Sequence, residues 1–232
     1  MPQLTTIAFD ADDTLWHNET HFHLTQARFA ELLSDAAQPE HLAERLEATE
    51  RRNLAHYGYG VKGFTLSMIE TALEVTEGRV SPAVLSELLA AGREMLTHPV
   101  ELLPHAREAV ESLAQVHRLI LITKGDLLHQ ERKVAASGLG DLFHGVEIVS
   151  EKTSETYRQI FTRLGEGPER ALMVGNSLKS DVLPAIEAGA VGVHVPFHLS
   201  WALERAEAPL QHPRFHVLPD LSGLPDLVAR LG

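Results

Sequence analysis

Two aspartates near the N-terminus have a residue type and spacing that could serve phosphoryl transfer. Asp10 and Asp12 stand two residues apart, directly after the apolar run at 7–9. A carboxylate can attack a phosphoryl group to give an acyl phosphate, which divides one difficult hydrolysis into two easier steps. A second acid can protonate the leaving oxygen and then activate water. An acidic turn after an edge strand would use the same residues, so the rest of the chain must decide between these interpretations.

Polar residues also follow three later strand-like segments. The carboxyl ends of parallel strands meet at one edge of a sheet, where ligands bind. A hydroxyl and lysines there could hold phosphoryl oxygens, while carboxylate and amide oxygens are the hard ligands that Mg²⁺ prefers. The residues are Thr123 and Lys124 at the end of the strand at 117–123, Lys152 after the strand at 146–149, and Asn176 and Asp181 after the strand at 171–174.

The elements that must position these residues alternate along the chain. Short apolar runs of the kind found in strands buried on both faces are separated by amphipathic helical segments and short connections. This order predicts an α/β fold, with a Rossmann-like, doubly wound parallel sheet covered by helices on both faces. The strands are predicted at 7–9, 117–123, 146–149, 171–174, 191–195 and 215–218.

A helical stretch interrupts this alternation from about residue 20 to 99. It contains no clear strand, and Ser81 with Pro82 forms a typical helix start. We predict a catalytic core of residues 1–17 and 100–232, and a helical cap of residues 18–99 that lies over Asp10. A glycine-rich segment at 56–64 is either a substrate-selecting loop or an interhelix connection with buried aromatics. We favour the first, with these candidate side chains: Tyr57, Tyr59, Lys62 and Phe64.

Composition limits the partners and the compartment. The chain of 232 residues has no cysteine and a formal net charge of −12. This charge disfavours a nucleic-acid partner, whereas a small phosphate ester needs only local positive charge. No run of about 18 apolar residues suits a membrane span, and the chain starts without a basic leader and cleavage site. We therefore expect a cytoplasmic protein without a membrane partner.

The ordered motifs resemble those of the haloacid dehalogenase-like hydrolase superfamily over nearly the whole chain. They are Asp-x-Asp-x-Thr from Asp10, a strand-end Thr, a Lys, and Gly-Asn-Ser-x-x-x-Asp ending at Asp181. The helical stretch corresponds to the family's helical cap. The resemblance implies that Asp10 is the nucleophile, Asp12 the general acid and base, and Thr123 and Lys152 phosphate ligands. It also implies a Mg²⁺ site formed by Asp10, Asp12, Asn176 and Asp181.

Within this superfamily, an aspartate at position 12 resembles the phosphatases and phosphomutases rather than the dehalogenases, and Asn176 stands where an aspartate is more usual. We therefore predict a Mg²⁺-dependent phosphatase that hydrolyses a small phosphorylated metabolite through an aspartyl phosphate, with Lys124 as a further phosphate-binding residue. The alternatives are a phosphomutase or phosphotransferase of the same family, a signalling module with a persistent phosphoaspartate, and a catalytically silent relative. Without cysteines, the histidines at 17, 21 and 23 are expected to be solvated or capping residues rather than zinc ligands.

Overall fold

A parallel β-sheet forms the centre of the computed structural model, which describes residues 3–199 and 201–232. Its strands are β1 (Thr6–Phe9), β2 (Arg118–Lys124), β3 (Gly145–Val149), β4 (Ala171–Gly175), β5 (Val191–His194) and β6 (Phe215–Val217). In space they follow the order β3-β2-β1-β4-β5-β6. All five neighbouring pairs are parallel. The predicted doubly wound α/β fold is confirmed.

The central strands are mostly apolar because both faces of the sheet are covered. Successive strand side chains point to opposite faces. Ile7 and Phe9 of β1 belong to one hydrophobic cluster, while Ala8 between them belongs to a second cluster on the other face. β2 shows the same division between Leu119 and Ile120. This two-sided burial explains why these strands lack the polar alternation of a half-exposed sheet.

Helices cover the sheet and also build a separate helical segment. They are α1 (Glu19–Leu32), α2 (Pro39–Tyr57), α3 (Val61–Val75), α4 (Pro82–Thr97), α5 (Ala106–Ala114), α6 (Leu127–Ser137), α7 (Ser154–Leu164), α8 (Leu183–Ala188) and α9 (Leu224–Leu231). A π-helical turn, Leu178–Val182, precedes α8. No helix in the described ranges is both long enough and apolar enough to cross a bilayer.

The described chain divides into two compact units. One contains residues 1–19, 100–124 and 130–232, and the other contains residues 20–99 and 125–129. The predicted division at 17/18 and 99/100 differs from this in two places. Asn18 and Glu19 group with the first unit because their backbone N–H groups donate to the Asp13 carboxylate at 2.9 and 3.0 Å. Residues 125–129 group with the second unit, where Asp126 pairs with Lys62 at 2.8 Å.

The second unit, called here the helical unit, has its own hydrophobic core. Phe29, Leu42, Met68 and Leu88, one from each of its four long helices, are all at most 1% exposed. Ser81 accepts a hydrogen bond from the Val84 N–H, as predicted for the start of α4. This packing explains why apolar residues recur at helical spacing in this stretch, whereas the rest of the chain is rich in strands.

The predicted glycine-rich loop of the helical unit is much shorter than the sequence indicated. α2 continues to Tyr57 and α3 begins at Val61, so only residues 58–60 connect them. Gly58 and Gly60 have φ angles of 68° and 108°, which side chains rarely adopt. The two glycines therefore allow a sharp turn. Tyr57 and Phe64 belong to the flanking helices, while Tyr59 lies in the short connection between them.

The first unit places β1 at the point where the order of strands reverses. β2 and β3 lie on one side of β1, and β4, β5 and β6 lie on the other. The register pairs Phe9, the last residue of β1, with Leu121 and with Val174. From this level β4 continues for one residue and β2 for three, to Lys124. Ligands of open α/β sheets bind beyond the carboxyl ends of the strands at such a position.

Candidate active site

Asp10 occupies the centre of this edge, immediately after β1. Its backbone N–H donates to Val174 O at 2.9 Å, and the residue is 6% exposed. The Lys152 ammonium contacts Oδ1 of the carboxylate, and the Thr14 hydroxyl donates to Oδ2 at 3.1 Å. Burial and the nearby Asp181 carboxylate raise the pKa of Asp10 to about 7, against the lowering effect of Lys152. Asp10 is thus a buried carboxylate whose charge depends on neighbouring cations.

Lys152 provides one such cation and joins two carboxylates. Its Nζ donates to Asp181 Oδ1 at 2.7 Å as well as to Asp10, and its side chain is only 2% exposed. Burial alone would lower the pKa of Lys152, but the two carboxylates outweigh burial and raise it. Thr153 accepts a hydrogen bond from Thr156 N–H at 3.1 Å to start α7. Lys152 therefore directly precedes the capped N-terminus of α7, which fixes the position of its backbone.

Asp181 is held in the π-helical turn after β4 by tight backbone packing. Its Oδ2 accepts the backbone N–H of Ser177 at 3.0 Å, and the residue is 1% exposed. A Cβ at Gly175 would lie 2.2 Å from Asp181 Oδ2, so only glycine permits this approach. The Tyr157 hydroxyl donates to Ser180 O at 3.0 Å and so stabilises the turn. The end of β4 and the turn together position the Asp181 carboxylate beside Lys152.

Asn176 lies beside Asp10 and is linked to it by one hydroxyl. Thr14 Oγ1 accepts the Asn176 backbone N–H at 3.1 Å. The same hydroxyl oxygen lies 3.5 Å from Asn176 Oδ1 and 3.1 Å from Asp10 Oδ2. The structure thus brings Asp10, Asn176 and Asp181 together, as the sequence predicted from their strand ends.

This group of oxygens fits a divalent cation by chemistry and by charge. Two carboxylates and an amide oxygen are hard ligands that suit Mg²⁺. Lys152 brings one positive charge to the two carboxylates of Asp10 and Asp181, which leaves one negative charge uncompensated in a buried place. Among residues 3–199 and 201–232, no three His, Asp or Glu side chains are close enough to hold a metal ion. A cation here would therefore need the Asn176 amide or backbone oxygens as well.

Asp12 has a different environment from that of Asp10, although only one residue separates them. Lys133 Nζ donates to both of its carboxylate oxygens at 2.6 and 2.7 Å. Trp16 Nε1 donates at 2.7 Å, and Gln130 Nε2 donates at 3.1 Å. Burial alone would raise the pKa of Asp12, but Lys133 and the hydrogen bonds from Trp16 and Gln130 outweigh burial and lower it. The two aspartates therefore differ in protonation behaviour, because different neighbours act on each carboxylate.

Thr123 and Lys124 end β2, but they face different partners. Thr123 is 1% exposed, and its hydroxyl accepts a hydrogen bond from Gln130 Nε2 at 2.7 Å. Lys124 Nζ donates to Ser180 Oγ and Glu204 Oε1, both at 2.8 Å. The contact between Lys124 and Glu204 ties the end of β2 to the chain after β5. The phosphate-binding role of Lys124 stays a prediction, because a carboxylate already neutralises part of its charge.

The four candidate residues of the helical unit separate into exposed and buried side chains. Tyr57 is exposed, and its hydroxyl donates to Glu70 at 2.8 Å. Lys62 pairs with Asp126 at 2.8 Å and is also exposed, whereas Tyr59 is half-buried. Phe64 is 3% exposed, and its ring centroid lies 4.9 Å from that of Phe22. Phe64 is therefore a core residue of this unit, since it belongs to the inner face of α3 and not to a loop.

Gln130 and Lys133 are site residues that the sequence interpretation missed. They are three residues apart on α6 and therefore share a face of the helix with the buried Val134. A long polar side chain and a lysine beside an apolar core position are the only local signal of their role. The sequence does not indicate which strand end this helix face meets.

The family comparison and a curated relative agree on the class of this chain. A family model for haloacid dehalogenase-like hydrolases matches residues 4–189. A glyceraldehyde 3-phosphate phosphatase from Methanothermobacter thermautotrophicus is 25% identical over 232 residues, which cover 97% of this chain and 100% of the relative.

Solved structures give the same fold. A haloacid dehalogenase-like family hydrolase from Xanthomonas campestris is 42% identical to this chain. The two structures superpose with a TM-score of 0.88, and the match covers 98% of this chain and 91% of that one. An L-2-haloacid dehalogenase from Xanthobacter autotrophicus with covalently bound chloropropionic acid is 20% identical, with a TM-score of 0.68 and coverage of 99% and 100%. Fold similarity at 20% identity does not distinguish phosphate esters from haloacids as substrates.

Proposed function

Because this chain belongs to the haloacid dehalogenase-like hydrolase family, we propose that it hydrolyses a small phosphate monoester through an aspartyl phosphate on Asp10. The observation that carries this proposal is the second carboxylate, Asp12, which has its own hydrogen-bond donors and pairs with a different lysine from the one that contacts Asp10. A halide leaves without needing a proton, whereas an alkoxide leaving from phosphate does need one. The similarity to a phosphatase over 97% of the chain supports the same substrate class.

The proposed reaction has two steps with one proton transfer in each. An Asp10 carboxylate oxygen attacks phosphorus, the bond to the ester oxygen breaks, and that oxygen takes the proton from Asp12. Water then attacks the phosphorus of the aspartyl phosphate and gives its proton to Asp12, while the bond to Asp10 breaks. The negative charge of the bound phosphate favours the protonated form of Asp12 before the first step. The products are an alcohol and inorganic phosphate.

The other residues of the site bind and orient the phosphoryl group in this proposal. Thr123 and Lys152 donate to its oxygens, and we assign Lys124 a weaker, charge-based contribution. A bound Mg²⁺ would be held by Asp10, Asp181, the Asn176 amide oxygen and the Asp12 backbone carbonyl. It would neutralise charge on the phosphoryl oxygens. Substrate choice would come from the helical unit, through Tyr57, Tyr59 and Lys62.

The proposed function is tested by measuring the released product directly. The wild-type protein is incubated with a panel of phosphorylated metabolites and a nitrophenyl phosphate, with Mg²⁺ or with EDTA, and inorganic phosphate is measured. Parallel reactions measure halide release from 2-chloropropionate, and transfer of phosphate to an added alcohol. We expect Mg²⁺-dependent phosphate release and no halide release. Halide release without phosphate release would make the chain a dehalogenase, and transfer to alcohol in preference to water would make it a phosphotransferase.

Asn176 gives a test of the proposed metal site. Asn176→Asp should tighten Mg²⁺ binding by roughly tenfold, which corresponds to about 1.4 kcal/mol, because a carboxylate attracts the cation more strongly than an amide. Asn176→Leu should weaken binding steeply, since it removes the oxygen at similar volume. Calorimetric titration with Mg²⁺ gives the affinities, and the Mg²⁺ dependence of turnover gives a second readout. Wild-type affinity in both variants would show that Asn176 is not a metal ligand.

A further inference from the structure

Two polar side chains on α6 converge on Asp12 from a part of the chain about 120 residues away. Lys133 is 9% exposed and Gln130 is 2% exposed. A buried lysine is costly unless its charge is paired. Lys133 meets this requirement with Asp12, and its Nζ also donates to Asn18 Oδ1 at 3.1 Å. The inner face of α6 therefore contacts the Asp-x-Asp-x-Thr motif that begins at Asp10.

Four hydrogen bonds reach the ionised form of Asp12, so one donor must release an oxygen whenever that oxygen holds a proton. An ionised carboxylate has about four acceptor positions. Oδ1 accepts from Trp16 Nε1 at 2.7 Å and from Lys133 Nζ at 2.6 Å. Oδ2 accepts from Gln130 Nε2 at 3.1 Å and from Lys133 Nζ at 2.7 Å. Lys133 contributes half of these bonds, and it is the partner whose charge complements the carboxylate.

Gln130 extends this arrangement to the adjacent strand end. Its Nε2 lies 2.7 Å from Thr123 Oγ1 and 2.8 Å from Lys124 O, in addition to its contact with Asp12. One amide group thus touches both the proposed proton-transfer residue and the proposed phosphate ligand. The same helix face fixes the orientation of Asp12 relative to the end of β2.

We propose that Lys133 is the positioning residue of Asp12: its ammonium orients the carboxylate and stabilises the anion that proton donation to the leaving oxygen produces. This inference rests on the proposed function. When the bond from phosphorus to the ester oxygen breaks, the proton moves from Asp12 to that oxygen and Lys133 stays protonated beside the new anion. In the second step the anion takes a proton from water, and Lys133 keeps its charge again. Its role corresponds to that of an orienting group behind a catalytic base.

The test compares leaving groups that do and do not need a proton. kcat/KM is measured on an alkyl phosphate and on a nitrophenyl phosphate, because this parameter includes the step in which the leaving group departs. Lys133→Met should lower kcat/KM on the alkyl phosphate by about tenfold to a hundredfold and on the nitrophenyl phosphate by much less. Lys133→Arg should restore part of the loss, since guanidinium can also donate twice to a carboxylate. Arg132→Met, which changes an exposed cation on the same helix, should leave both rates unchanged.

A double-mutant cycle separates this role from a general structural one. In an Asp12→Asn background, Lys133→Met should cause no further loss on the alkyl phosphate, because the residue on which Lys133 acts is already inactive. Melting temperatures of all variants show which of them are folded, and Lys133→Gln replaces Lys133→Met if the latter does not fold. Equal losses on both substrates, or losses that add to those of Asp12→Asn, would overturn the positioning role alone. A wild type that releases phosphate from neither substrate would overturn the proposed function as well.

Discussion

Asp10→Asn is expected to lower kcat for phosphate release by about 10⁴-fold or more, because an amide cannot act as the nucleophile that forms the aspartyl phosphate. The fold should be kept, since the amide oxygen can still accept from Lys152 and the amide NH₂ group can donate to the Thr14 hydroxyl oxygen. Turnover is measured on the best substrate of the panel, and circular dichroism and thermal melting establish that the variant is folded.

Asp13→Asn is the matched control for this prediction. Asp13 is a buried aspartate three residues further on, and its carboxylate accepts the backbone N–H groups of Asn18 and Glu19. Its φ angle is 59°, which asparagine tolerates, so the same chemical change should alter turnover only a few-fold. If Asp10→Asn kept more than about a tenth of the wild-type rate, the acyl-phosphate mechanism would have to be abandoned.

Lys152→Met is expected to reduce the stability of the protein and its activity together. The substitution leaves Asp10 and Asp181 buried without the ammonium that they share. Breaking a buried ion pair by removing one partner costs about 3–5 kcal/mol of the free energy of unfolding. For a chain of this length the melting temperature should fall by about 10 °C. Turnover should fall by at least about a hundredfold, because a phosphoryl oxygen also loses its cationic partner.

Two further measurements give this prediction its specificity. Lys179→Met is the control, since Lys179 is exposed and donates to a backbone oxygen, that of Leu203, at 2.7 Å. It should cost less than about 1.5 kcal/mol. Mg²⁺ should raise the melting temperature of Lys152→Met more than that of the wild type, because a second cation relieves the repulsion between the two carboxylates. A stability loss below about 1 kcal/mol in Lys152→Met would mean that the two carboxylates do not depend on this lysine.

Local sequence features were enough to predict the sheet and the principal residues of its edge. Short apolar runs with polar ends define the strands, and parallel strands with short connections must end at one edge. The position of a side chain at a strand end is then nearly fixed by topology. For this reason Asp10, Asn176 and Asp181 were predicted together, and they lie together in the structure.

Helix packing was not accessible in the same way. The partners of Lys133 depend on the rotation of α6 about its axis and on where this helix lies against the sheet, and a pattern of apolar residues constrains both only loosely. The contact between Lys133 and Asp12 joins residues 121 positions apart. The pairing of Lys124 with Glu204 likewise depends on an irregular segment after β5. Phe64 shows the same limit, since a glycine-rich sequence indicated a loop where α3 already begins.

The sequence by itself determined which residues reach the edge of the sheet, because strand alternation and chain connectivity are local properties. Only the tertiary structure decided which charges meet there: Lys152 between Asp10 and Asp181, and Lys133 against Asp12. These pairings differ in the carboxylates they neutralise, and they give the two aspartates of the first motif opposite shifts in pKa. The physical reason is that a buried charge is controlled by groups within a few ångströms, and those neighbours come from distant segments that meet only on folding.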